Sequence, residues 1–260
     1  MKNALCRTLT LTLACSIAFV AAAQAADSEK APEKAMMVYD VTVQPSHVSA
    51  FEKGIKGWIA CQHEHGRKQG FSAWEAETGK SEYTFTSPSG TWASFDEKDE
   101  GAKACGQDFM DNVMPHVDSM LASVYVDMPE LSKPPADDSS DMPKYVVVTG
   151  YRIKPGKFSD FKDATAKMTK AAVQSKWSPT WWTSSLAFGD REAADVIMVG
   201  PEKSWASIGA PTDPKTMDMM KGVYGEDETK ALYKKFMGSA KFLSRNVYRY
   251  NKDLSYIPAN

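Results

Sequence analysis

The chain has 260 residues, with 31 basic and 33 acidic side chains and a net charge of −2; hydrophobic residues make up 43% and charged residues 25%. This composition excludes collagenous, coiled-coil and fully disordered chains, and the near-neutral charge gives no electrostatic basis for binding nucleic acid. Four cysteines are too few for a small disulfide scaffold.

Residues 1–25 read as an address. Lys2 and Arg7 form a positive start, Thr8 to Ala23 carries no charge, and Ala23-Gln24-Ala25 supplies an A-x-A cleavage signal. A secretory signal peptide removed near Ala25 is expected, and its short, Ala-rich form points to a bacterial periplasmic or secreted protein. An uncleaved anchor and a lipidated Cys15 are the alternatives; Thr12 is a poor residue for a lipoprotein signal. Cleavage leaves 29 basic against 33 acidic groups, a net charge of −4, with Cys61 and Cys105 as the remaining thiols. No later stretch approaches ~18 uninterrupted apolar residues, so the mature chain is expected to be soluble and not to span a membrane.

A polar lead (26–35) precedes a first strand, about Met36 to Val43. A helix from Ser46 to His65 follows, with Val48, Phe51, Ile55, Trp58, Ile59 and Gln62 at spacings of three and four. Strands are expected at 71–76 and 82–87. A second helix runs from Gly101 to Met120, with Cys105, Phe109, Val113, His116, Val117 and Met120 on one stripe. A last strand covers Ala122–Met128. The segment 129–143, rich in Pro, Asp and Ser, reads as an extended linker. The order then recurs: strand 145–153, helix 157–175, strands 180–187 and 194–199, helix 215–238, strand 242–250.

The recurrence is visible in the residues. Met37–Pro45 resembles Val147–Pro155 at an offset of 110, and Phe51 and Gly79 match Phe161 and Gly189 at the same offset. Pro88–Phe95 and Pro201–Ile208 share P-x-x-[TS]-W-A-S at an offset of 113, and Val124-Tyr125 matches Val247-Tyr248 at 123. Offsets that hold and then grow fit one duplicated unit with loop insertions. The unit, 36–128 and again 144–260, is a ferredoxin-like βαββαβ fold of the α+β class. Both faces of its first strands carry apolar residues, so two antiparallel sheets packed face to face are expected. On element order and duplication, from about Met36 to Tyr250, the chain resembles the dimeric α+β barrel superfamily, here as an intramolecular pseudo-dimer. That resemblance implies a chain that can act as a monomer. Its members include cofactor-independent monooxygenases, haem-degrading enzymes, chlorite dismutase-like haem proteins and proteins without known activity, so it narrows fold more than function.

Within such a unit Cys61, late in the first helix, and Cys105, early in the second, lie at the same end. In an oxidising compartment they are expected to form a disulfide. Of the four histidines, His63 and His65 are two apart and diverge on a helix, so no metal site is expected. His116 sits on the apolar stripe, placed like the axial histidine of some haem-degrading members, with Met110, Met114 and Met120 as an apolar wall. Asp40 stands where those members use asparagine, and the second copy has no histidine. No cofactor is therefore expected, with haem the alternative at His116. Trp92 and Trp205 occupy equivalent positions and read as packing residues. Trp181 and Trp182 must point to opposite faces. Trp182, Trp74 and Tyr151 are candidates for an aromatic pocket, and Asp40 and Arg152 for orienting a polar ligand atom. Three functional readings follow: an exported binder of a small apolar or aromatic ligand, a monooxygenase-like or haem-dependent enzyme, and an interaction protein with no pocket.

Overall fold

The computed structural model describes residues 32–80, 82–135 and 142–259. The expected signal peptide and most of the polar lead lie outside them. Among the described residues there are nine strands: β1 (Lys34–Val43), β2 (Phe71–Ala76), β3 (Glu82–Thr86), β4 (Gly90–Thr91), β5 (Val117–Asp127), β6 (Tyr145–Ile153), β7 (Trp182–Phe188), β8 (Val196–Glu202) and β9 (Ala240–Tyr256). The helices are α1 (Val48–Glu64), α2 (Glu100–Ala104), α3 (Gly106–Asn112), α4 (Phe158–Gln174), α5 (Trp205–Gly209), α6 (Thr216–Tyr224) and α7 (Glu226–Ser239). No helix among the described residues is long and apolar enough to cross a membrane.

Eight strands close a ring in the order β1-β3-β2-β9-β6-β8-β7-β5 and back to β1, with every pairing antiparallel; β4 adds two residues to the start of β1. The α+β barrel expected from the sequence is present as one closed antiparallel ring. The edges hydrogen-bond to one another, β2 to β9 and β5 to β7. Closure removes edges that two separate sheets would leave unpaired. Within the ring the first half runs β5-β1-β3-β2 and the second β9-β6-β8-β7, the same order by element.

Alternation in β1 divides the barrel wall into two environments. Val41 and Val43 face α1 and join a core with Phe51, Ile55, Phe71, Phe85, Val113, Leu254 and Tyr256. Asp40 faces the other way and accepts a 2.7 Å hydrogen bond from Thr84 Oγ1 on β3. In the second half Phe161 of α4 and Phe236 of α7 pack in a tilted pair at 5.4 Å, and Tyr151 closes on both.

Burial raises the pKa of Asp40, with a further rise from Glu82, and the Thr84 bond only partly offsets this. A carboxyl whose folded pKa lies above its unfolded one binds its proton more tightly when folded. Its contribution to stability is greatest below the ordinary pKa and declines as pH rises through the shifted value. Asp40→Asn keeps the acceptor for Thr84 and removes the charge. It is expected to raise the urea midpoint at pH 7 and to flatten the acid-to-neutral decline of the wild type. A midpoint lowered at pH 7 and unchanged at pH 4 contradicts this.

Two expected elements differ. The helix placed at 101–120 is split at Cys105 and ends at Asn112. Pro115 has no N–H to continue the ladder and clashes with the preceding turn, so a 3-10 turn (Met114–His116) leads directly into β5. The helix expected at 215–238 breaks at Gly225, whose φ of 77° is open to glycine. The expected extended linker also begins as packed chain. Leu131 is fully buried, its carbonyl accepts hydrogen bonds from Trp181 Nε1 and Thr183 Oγ1, and Lys133 bridges to Trp181.

Candidate functional site

A cavity of about 360 Å³ lies in the first half, between α1, α2 and α3 on one side and the outer face of the barrel on the other. Tyr39, Val41, Phe71, Phe85 and Met120 of the strands form its floor, and Phe51, Ile55, Trp58 and Phe109 of the helices its roof. The same spacing that makes α1 amphipathic aims Phe51, Ile55 and Trp58 at one surface. The corresponding layer of the second half is packed by Phe161, Phe236 and Tyr151.

Arg67 brings charge to one end of this apolar space. Its guanidinium carbon lies 5.5 Å from the Trp58 ring centre, 5.4 Å from Phe71 and 5.9 Å from Tyr256. A cation over three ring faces is held by their quadrupoles. Burial pulls the Arg67 pKa down and the nearby Asp99 pushes it back up; an arginine stays charged throughout. Asp99 is itself well tied. Burial pushes its pKa up, but the backbone N–H groups of Ala102, Gln69 and Lys68 and the Arg67 charge outweigh that and hold it below the usual range. The Arg67–Asp99 separation is 3.8 Å. Among the described residues, the buried Arg67 Nε and Trp58 Nε1 have no hydrogen-bond partner in the protein. Both nitrogens are covered by protein atoms, and Arg67 Nε is the atom that faces Asp99 Oδ2; Arg67 is the charged side chain of the cavity lining and can donate to an acceptor oxygen on a ligand.

The six residues proposed from sequence do not line this cavity. Trp74 donates from Nε1 to Thr86 Oγ1 and packs on Tyr250, and Asp40 lies against Thr84. Tyr151 is in the second-half core, and Trp182, 40% exposed, lies on the barrel face opposite Trp181, as alternation requires. Arg152 pairs with Asp195 at 2.6 Å. His116 lies on the turn into β5, its ring 5.6 Å from His47, rather than on a helix stripe. Met110 is 56% exposed and Met120 belongs to β5, so the expected methionine wall is not assembled. None of the four histidines lines the cavity, and a histidine-ligated haem does not fit it. Trp92 and Trp205, 38% and 47% exposed, each open a short helix and touch other rings.

The Cys61–Cys105 disulfide forms as expected, with Cα atoms 5.9 Å apart. It ties the end of α1 to the junction of α2 and α3, and so fastens the cavity roof.

No family model matches the sequence, and no curated protein sequence matches it. Solved structures do. A protein assigned as a monooxygenase from Fusobacterium nucleatum subsp. nucleatum superposes with a TM-score of 0.53 at 11% identity, over 85% of this chain and 94% of that one. An anthrone oxidase-like protein gives 0.52 at 11% identity, over 85% and 92%. Chlorite dismutase from Candidatus Nitrospira defluvii gives 0.50 at 9% identity, over 85% and 92%. At these identities the likeness establishes the fold alone, a closed antiparallel barrel with helices packed on its outer face.

Proposed function

We propose that this protein is an exported, monomeric binder of a small planar aromatic molecule carrying a neutral acceptor oxygen, held in the first-half cavity. The observation that carries the reading is an apolar, ring-lined cavity whose lining includes one charged side chain, Arg67, held against the faces of Trp58, Phe71 and Tyr256. Because Asp99 already neutralises Arg67, a ketone, quinone or phenol suits the site better than a second carboxylate. Export is supported by the A-x-A signal and the disulfide. A monomeric state is supported by a barrel that closes within one chain. The shared strand order of the halves, with Phe51 and Phe161 alike on their first helices, supports a duplicated ferredoxin-like unit.

Calorimetric titration with naphthalene, 2-acetylnaphthalene and 2-naphthoate tests the reading. The ketone is expected to bind most tightly, and Arg67→Met to weaken it by roughly tenfold or more, since a hydrogen bond to a charged donor is worth about 1.5–3 kcal/mol; Trp58→Ala, which removes a ring from the lining, should also weaken it. No binding by any of the three, or ketone binding unchanged in both variants, sinks it. A second reading, an oxygenase acting on the same ligand, is supported by the fold neighbours described as a monooxygenase and an anthrone oxidase-like protein. In it Arg67 would hold the ligand oxygen and fix the orientation of the ring. Oxygen uptake with anthrone, lost in Arg67→Met, is its expected signature.

A further inference from the structure

The last turn of α1 holds a second constellation. Cys61 and His65 are four residues apart and therefore stacked on one helix face, while Cys105 approaches from the α2–α3 junction. The sulfurs of Cys61 and Cys105 and a ring nitrogen of His65 all lie within 4.8 Å of one another. His65 Nδ1 is 3.6 Å from Cys61 Sγ and 3.8 Å from Cys105 Sγ. Bond lengths of about 2.3 Å for zinc–sulfur and about 2.0 Å for zinc–nitrogen make the sulfur–nitrogen edge of a tetrahedral site about 3.6 Å. Two of the three edges of a thiolate–thiolate–imidazole face are thus already in place, and the third is closed by the disulfide.

We infer that the reduced chain binds a zinc-like d10 cation through Cys61 Sγ, Cys105 Sγ and His65, and that the disulfide is the oxidised, metal-free form of this site. The balance is simple. A dithiol reductant delivers two electrons and two protons to the S–S bond and leaves as its own disulfide. The two thiols then lose their protons to solvent as the cation binds, and neutral His65 supplies a lone pair. The sulfurs must part to about 3.8 Å to complete the tetrahedral face. His65 Nδ1 also gives up its 3.0 Å contact with the Cys61 carbonyl, which keeps the His65 backbone N–H as donor at 3.0 Å. His65 is exposed, which leaves the fourth coordination position to water. Either closure fastens α1 to the α2–α3 junction, so the cavity roof stays pinned in both redox states. His63 packs instead against Tyr256 at 4.7 Å and takes no part.

The test uses the full chain, reduced with a phosphine and desalted under argon, and titrated with cobalt(II). One equivalent is expected to bind with a thiolate-to-metal charge-transfer band, which the unreduced protein does not develop. His65→Ala is expected to weaken binding at least tenfold, and His63→Ala to leave it unchanged. Zinc(II) is expected to raise the melting temperature of the reduced wild type and not that of the oxidised protein. If reduction alone unfolds the chain, zinc(II) is expected to restore its near-ultraviolet circular dichroism. Absence of the band, a His65→Ala affinity equal to that of wild type, or a reduced chain that zinc(II) neither stabilises nor refolds overturns the proposal.

Discussion

Cys61→Ser is expected to lower the unfolding free energy by about 4 kcal/mol in metal-free buffer, the chain-entropy value for a closed loop of this length. The bridged residues are 44 apart in sequence. The loop they close contains β2, β3, β4, α2 and the path between them. The elements pinned at its far end are weak in themselves. α2 has five residues and α3 seven, well short of what an isolated helix needs to persist in water. Beside the disulfide, α2 keeps its Asp99 N-cap and the contact of Gly101 with the backbone of Arg67. Cys105→Ser should cost at least as much, because Cys105 is fully buried and the serine hydroxyl would need a partner there. The double variant should cost little more than the worse single one, since the bond can be lost only once. Urea unfolding with and without reductant measures all of these. Midpoints that agree between oxidised and reduced wild type would sink the estimate.

Alternation in β1 and β6 and the three-and-four spacing of α1 and α4 are periodic signals set by burial on one side, and they placed those elements to within two or three residues. The disulfide followed from topology, because antiparallel helices bring their opposite ends together. The barrel followed from element order and duplication, but the edge pairing between β2 and β9 that closes it joins residues about 170–185 positions apart and leaves no local pattern. His116 lies off the helix because the Pro115 turn ends it, while the apolar stripe of α3 runs on at helical spacing into β5, so periodicity alone extends the helix too far. The cavity residues Phe51, Ile55 and Trp58 were recognised as a buried face, but periodicity cannot distinguish a filled face from a hollow one. Arg67 lies between elements, and only the three rings around it mark it out. Cys61 and His65 are four residues apart and share one helix face, whereas His63 and His65 are two apart and diverge.

Two glycines on α1 should respond to the same substitution with opposite signs. Helix propensity alone favours alanine over glycine by about 1 kcal/mol at either position. At Gly57 a Cβ would meet nothing within 4 Å, so Gly57→Ala is expected to stabilise by up to about 1 kcal/mol. At Gly54 a Cβ would stand 2.2 Å from the carbonyl oxygen of Asn112 and 2.9 Å from its carbon, where the end of α3 crosses α1. These are backbone atoms and cannot swing aside as a side chain would. Gly54→Ala must therefore push α3 outward, and overpacking of that kind costs about 3 kcal/mol, overwhelming the propensity gain. The displacement carries Phe109 and Val113 with it, both part of the cavity lining, so ketone affinity should fall together with stability. In Gly57→Ala affinity should be unchanged. Paired urea curves and titrations on the two variants separate these outcomes, and a shift of both midpoints in the same direction would mean that α1 and α3 do not meet at Gly54 as described.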